Sequence, residues 1–246
     1  MPDSAISVLP EGGLVLVTGI SGYVGSNVAD QILTAGYKVR GIVRSTTKAR
    51  WLSDHFEKQY GADSFHLVEI SDMLKAGALD EAVKGVSAIA HVATVAPLSG
   101  YPDPYIAQVT GLVLNLLESA SREPKMKRFV FTSSSMAAAN PAQDLERIIT
   151  DRSWNEEACN DAWVGPFGDS NIWNVYAASK ATAEQKAFEW MSANSPSFEF
   201  NSILPNTNFG PTLSREHQGF GSTGAMLKSV FDGNTKAIAE DPPRKT

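Results

Sequence analysis

Apolar positions along the chain alternate between two spacings. Residues 14–18 form a short apolar run that ends at a glycine cluster, and the segment behind it places Val24, Val28, Ile32 and Leu33 at helical intervals. This predicts a strand, a tight turn and a helix. Gly36 closes that helix as a left-handed C-cap, and an extended apolar pattern restarts over residues 39–43. The cycle then repeats. A polar helix over 47–60 is followed by a strand over 65–70, a short helix over 79–85, a strand over 88–92 and a helix over 109–120. A strand over 128–132, a helix over 175–193 and a strand over 199–204 complete the series, and the segment beyond Pro205 reads as mostly turn. Strands joined by crossover helices imply right-handed βαβ units. The expected class is therefore α/β: a doubly wound parallel sheet of the Rossmann type with helices on both faces. The stretch 139–174, with Trp154, Trp163 and Trp173 among polar, glycine and proline residues, is longer than compact domains usually carry without a functional reason. It is a candidate substrate-facing segment.

The glycine cluster lies at the hand-over from first strand to first helix. There Thr18-Gly19-Ile20-Ser21-Gly22-Tyr23-Val24-Gly25 can bring backbone amides and a helix N-terminus to a pyrophosphate. The same string also serves close packing of helix on strand. Gly219, Gly221 and Gly224 repeat the glycine spacing after a polar run and no predicted strand, so that copy is expected to be a loop. Where a site for NAD would place an acidic residue, the second strand ends in Arg44. A guanidinium pairs with a 2′-phosphate, and Lys48 four residues on adds a second cation, so NADP(H) is the expected cofactor. Both side chains are also compatible with plain surface charge.

Tyr176 and Lys180 stand four apart in a predicted helix, one turn from each other on one face. An ammonium beside a phenol favours phenolate and lowers a pKa that is otherwise about 10. The strand over 128–132 delivers Ser133, Ser134 and Ser135 at its carboxyl end, where open α/β sheets bind ligands. Such serines either bond a substrate carbonyl or satisfy local backbone.

Taken together, the TGISGYVG turn, Arg44 with Lys48, Asp72-Met73, His91-Val92-Ala93-Thr94, the TSSS strand end, YAASK and Leu204-Pro205-Asn206 resemble the extended short-chain dehydrogenases/reductases. Within these the chain is most similar to fungal aldehyde and ketone reductases related to dihydroflavonol reductase. The resemblance spans nearly the whole chain. It implies a catalytic Ser134, Tyr176 and Lys180, Lys180 also binding the nicotinamide ribose, and cofactor contacts from Gly19, Ser21, Gly22, Tyr23, Val24, Gly25, Arg44, Lys48, Tyr176 and Lys180. Asp72 and Met73 correspond to adenine contacts, and Ala93, Thr94, Thr132 and Ser133 to cofactor-wall and strand-end positions. Pro205 and Asn206 correspond to the loop beside the nicotinamide. The implied reaction reduces an aldehyde or ketone to an alcohol, with Tyr176 as proton donor. A nucleotide-sugar epimerase or dehydratase, or a non-catalytic NADP-sensing regulator, are the competing readings. Family members continue beyond the position of Thr246, so the chain is expected to be one domain, 1–246, whose substrate lobe starts near residue 206 and is incomplete.

Composition narrows the partners. With 246 residues, 43% hydrophobic and 20% charged, the chain can bury a core. A net charge of −6 without like-charge blocks gives no global attraction to nucleic acid or anionic lipid. One cysteine, Cys159, and no Asn-x-Ser/Thr site suggest a reducing, cytoplasmic setting. The first residues lack the basic and apolar regions of a signal peptide, and no apolar run reaches bilayer length. His55, His66, His91 and His217 are isolated from the spacings of metal ligands, so no metal is expected, and His91 reads as a buried, hydrogen-bonded residue. A small carbonyl substrate, apolar or aromatic, and a monomer or homodimer complete the expectation.

Overall fold

Leu16 and Val17 are fully enclosed in the first strand, β1 (Leu14–Thr18), which lies in the middle of a six-stranded sheet. The computed structural model describes residues 8–95, 99–140 and 148–234. The N-terminal leader reading over residues 1–7 and the chain end at 241–246 fall outside them. The other strands are β2 (Lys38–Val43), β3 (Phe65–Glu69), β4 (Ala88–His91), β5 (Arg128–Thr132) and β6 (Glu199–Ile203). Their order is β3-β2-β1-β4-β5-β6, with β1 pairing parallel to both β2 and β4. This is the dinucleotide-binding order, whose direction of winding reverses between β1 and β4. Ligands of such sheets bind beyond the strand carboxyl ends at that reversal.

Two compact units make up the described chain. The first comprises residues up to 93 with 115–131 and 194–201. In it α1 (Tyr23–Thr34) and α2 (Thr46–Tyr60) pack beside β1, β2 and β3. Phe56 of α2 meets the Phe65 ring of β3 at 4.8 Å, both side chains buried. A short α3 (Asp80–Val83) precedes β4, and the second half of α4 (Tyr105–Ala120) contributes the buried Leu116 and Leu117.

The second unit comprises 94–114, 132–193 and the described residues from 202 onward. Its long helix α6 (Ile172–Asn194) buries small side chains, Ala177, Ala178, Ala181, Ala183 and Ala187, which permit close approach of neighbouring backbone. Ahead of it Asn171 is buried and donates to Gly100 O at 3.1 Å and Ala162 O at 2.9 Å, anchoring the loop before the helix.

Predicted boundaries over the sheet hold to within one or two residues. The differences lie elsewhere. Helix α4 starts at Tyr105 instead of near 109, directly after Pro104, a position at which a missing N–H costs nothing. The stretch 139–174 contains α5 (Glu156–Asp161), whose N-cap Asn155 accepts from Ala158 N at 3.0 Å and whose first turn carries Glu156 and Glu157. The segment beyond Pro205 is not mostly turn: it holds α7 (Arg215–Gln218) and α8 (Ser222–Phe231). The second glycine string is accordingly not a loop. Gly219 ends α7 at φ 63°, Gly221 caps α8 and Gly224 lies inside it. It follows a helix, so it lacks the strand that a nucleotide turn requires.

Candidate active site

In the first unit, the turn after β1 is shaped by its glycines. Gly19 adopts φ +67°, and a Cβ there would stand 2.8 Å from Ala93 N, at the point where the winding reverses. A Cβ on Gly25 would lie 2.2 Å from Gly19 O, so this glycine is what lets α1 close onto the turn. Gly22 is the N-cap of α1, brings no capping side chain and donates its own N–H to Gly19 O at 3.0 Å. Ser21 and Gly22 are solvent-exposed, Tyr23 and Val24 half-buried, and the first helical turn carries no acidic residue. A helix start of this kind, twelve residues long and uncapped by carboxylate, fits the diphosphate of a dinucleotide.

Thr18 locks the ends of β1 and β4 together. Its Oγ1 accepts from Val92 N at 3.1 Å and Ala93 N at 3.0 Å, leaving its hydrogen for His91 Nδ1 at 2.7 Å. This assigns the His91 proton to Nε2. His91 is buried and stacks on Phe131 at 5.7 Å, the enclosed, hydrogen-bonded role expected of it.

Arg44 and Lys48 are both exposed, Arg44 directly after β2 and Lys48 in the first turn of α2. The start of α2 is already occupied: Ser45 caps it, and Glu69 accepts from Thr46 N at 2.7 Å and Thr46 Oγ1 at 2.9 Å. Those bonds hold the Glu69 carboxyl below its usual range. Asp72 is exposed, its Oδ1 accepting from Leu74 N at 2.9 Å, while Met73 is fixed by Asn115 of α4, which donates to Met73 O at 3.2 Å and Leu74 O at 2.6 Å. Sequence reasoning missed Asn115, which lies in an otherwise apolar helical run.

The second unit contains Ser134, Tyr176 and Lys180 together. Ser134 is buried, caps a short 3-10 turn (Ser135–Ala137) and accepts from Met136 N at 3.3 Å. The serine string is stitched to the loop after β6, Ser133 N donating to Ile203 O at 2.8 Å and Ser135 N to Pro205 O at 2.9 Å. Pro205 thus reaches the strand end that bears Ser134, and Asn206 beside it is exposed. Tyr176 and Lys180 sit one turn apart on α6, and Lys180 Nζ donates to Thr132 O at 3.1 Å. Thr94 is exposed at the start of this unit, its hydroxyl donating to Val95 O at 3.4 Å.

Burial dominates the electrostatics here. It pushes the Tyr176 phenol above its ordinary value, opposed by a hydrogen bond with Ser134. The expected lowering by Lys180 is therefore not what the structure gives: enclosure raises the phenol, and the ammonium donates to a backbone carbonyl. Burial likewise brings Lys180 down to about 8, opposed by the charge of Glu184. A second phenol, Tyr105 of α4, donates to Val95 O and is pushed up to about 12 by burial, with interactions to Ser179, Thr94 and Tyr176. Trp173 meets Tyr176 edge-on at 6.1 Å, whereas Trp154 packs against Phe188 and Trp163 and Phe209 face solvent. Among the described residues no cluster of three or more His, Cys, Asp or Glu could hold a metal ion.

The NAD dependent epimerase/dehydratase family matches residues 15–231, a span that includes the glycine turn, the six strands from Val15 onward and Ser134, Tyr176 and Lys180. The chain belongs to that family. Among curated members, aldehyde reductase 2 of Sporidiobolus salmonicolor is 42% identical over 242 residues, covering 97% of this chain and 70% of that protein. The ketoreductase adrE of Penicillium rubens is 37% identical, covering 96% and 68%. Among solved structures of this fold, yeast methylglyoxal/isovaleraldehyde reductase Gre2, complexed with NADPH, superimposes with a TM-score of 0.76 at 24% identity, covering 89% of this chain and 66% of that one. The chain thus spans about two thirds of the length of these epimerase/dehydratase relatives.

Proposed function

We propose that this member of the epimerase/dehydratase family is an NADPH-dependent carbonyl reductase that converts an aldehyde or ketone to an alcohol. The observation that carries the reading is the grouping of Ser134, Tyr176 and Lys180 within one unit, the phenol enclosed and hydrogen-bonded to Ser134. The names of the aldehyde reductase and ketoreductase relatives support it.

NADPH, when bound, supplies the hydride. The first unit's residues would hold it: the Gly19–Gly22–Gly25 turn and the start of α1 take the diphosphate, Arg44 and Lys48 the 2′-phosphate, and Asp72 and Met73 the adenine. Because Glu69 already occupies the start of α2, recognition of the 2′-phosphate falls to the two cationic side chains. In the second unit, Ser134 donates a hydrogen bond to the substrate carbonyl oxygen and polarises it. Tyr176 gives its proton to the oxygen as negative charge develops there. A phenol raised by burial is protonated at neutral pH, which is the form that donates. The Lys180 ammonium stabilises the phenolate left behind, and a proton from solvent restores the phenol. The balance is carbonyl, NADPH and one proton to alcohol and NADP.

Trp173, edge-on to Tyr176, favours substrates with an apolar or aromatic group beside the carbonyl. Residues from about 206 onward belong to the substrate side. No described helix is long and apolar enough to cross a membrane; a cytoplasmic location and a monomeric or homodimeric state complete the proposal. The test is incubation with NADPH and a panel of aryl ketones, aldehydes and β-keto esters. Net loss of reduced nicotinamide with alcohol formation is expected. An oxidised cofactor that recycles without net consumption, on a nucleotide sugar, would overturn it.

A further inference from the structure

Helix α6 carries three ionisable residues at successive turns of one face, Tyr176, Lys180 and Glu184. The reaction outlined above uses two of them. Glu184 is as enclosed as Lys180, with 4% and 3% of their surfaces exposed. Carboxylates are almost never buried this fully unless they are paired. Its surroundings are built from consecutive residues of two strand ends. Lys180 Nζ bonds the carbonyl of Thr132, and the next residue, Ser133, turns its hydroxyl to Glu184, as does Ser202 of β6. Ser133 N is in turn tied to the carbonyl of Ile203, which follows Ser202.

Yet Glu184 Oε2, Ser133 Oγ and Ser202 Oγ are all sealed from solvent without meeting a partner at full hydrogen-bond geometry. A carboxyl oxygen and two neighbouring hydroxyls in this condition are unusual, because buried polar atoms in folded proteins are nearly always satisfied. A carboxyl needed only for packing would be bonded to those serines or replaced by an apolar side chain. With its burial only partly offset by the two serines, the carboxyl depends on the ammonium one turn away for its charge.

We propose that Glu184 is a positioning residue for the carbonyl reduction, its carboxylate holding the Lys180 ammonium charged and seated against the carboxyl end of β5. The proposal rests on the assignment of Lys180 to proton transfer made above. Glu184 is the acidic group that acts on Lys180, and burial of the carboxyl raises its own pKa, with Ser133, Ser202 and Lys180 opposing. The other titratable groups facing this place are Tyr176 on α6 and, through Tyr176, Tyr105 from α4. Ser134, Ser133 and Ser202 face it as neutral hydroxyls. Removing the Glu184 charge leaves burial to lower the lysine further, so the ammonium is lost at lower pH.

The test follows the titration of Lys180 by NMR of isotope-labelled lysine in the full chain, the signal assigned by its disappearance in Lys180→Arg. In Glu184→Gln the midpoint is expected to fall by about one pH unit, the size of shift produced by one nearby opposite charge. The alkaline limb of kcat with NADPH and a carbonyl substrate is expected to move down with it, while a purely structural role would lower kcat evenly at all pH. If Glu184→Gln does not fold, Glu184→Asp decides: its midpoint falls by less, because a charge is kept at greater distance. An unmoved midpoint in the variant that folds overturns the proposal. A midpoint that moves in a chain which oxidises no NADPH supports the Glu184–Lys180 coupling and overturns the reductase reading instead.

Discussion

Enclosure acts on Tyr176 and Lys180 in opposite directions. Burial raises the phenol and lowers the ammonium, so that at neutral pH the first holds its proton firmly and the second remains charged with little margin. In the proposed reaction such a phenol gives its proton to the developing alkoxide. Tyr176→Phe keeps the ring and removes the proton, and steady-state kinetics should show kcat reduced by about 10²–10⁴. Fluorescence titration of the same variant should show NADPH binding nearly unchanged. Arg44 tests cofactor choice separately. A lost charge-assisted hydrogen bond is worth about 1.5–3 kcal/mol, so Arg44→Asp should lower kcat/KM for NADPH by about ten- to a hundredfold and leave NADH less affected. Equal losses with both cofactors would return Arg44 to the status of a surface charge.

Among the elements, what the sequence made legible and what it hid separate by cause. The strands β1 to β5 could be read from short, largely apolar segments between turn residues, β5 beginning and ending where its pattern does, whereas β6 mixes polar residues with Phe200 and Ile203. The glycine turn was legible because its residues carry information in the backbone: Gly25 is required by a carbonyl 2.2 Å from where its Cβ would stand. Gly25→Ala must move that backbone, at a cost of about 1–3 kcal/mol. Thermal unfolding should show a Tm lower by several degrees. Helices α5 and α8 were hidden for the opposite reason. The first is short and held by its Asn155 cap, a polar signal inside a polar stretch, and the second contains Gly224, whose presence argues against a helix. Glu184 was missed because spacing shows only that a residue shares a face with Lys180; that the face is enclosed depends on Ser133 and Ser202, nearly seventy positions apart.

For the molecule as a whole, membership of the epimerase/dehydratase family and the strand order fix a dinucleotide fold, and the proposed reduction rests on Ser134, Tyr176 and Lys180 of the second unit. Its pH dependence follows from Lys180. In the proposed reaction the charged form is the competent one, and it is lost as pH rises through about 8. Turnover should therefore be flat through neutrality and fall above about pH 8, with one proton governing the fall. A profile still rising at higher pH would place the working group elsewhere. The most direct measurement uses NADPH deuterated at the transferable position, with the reduced product examined by mass spectrometry and NMR. Hydride transfer from NADPH to the carbonyl carbon requires one deuterium per alcohol, bonded to the former carbonyl carbon, and none delivered by Tyr176→Phe at a comparable rate. An alcohol free of label, or labelled NADPH recovered intact beside a changed substrate, would contradict it.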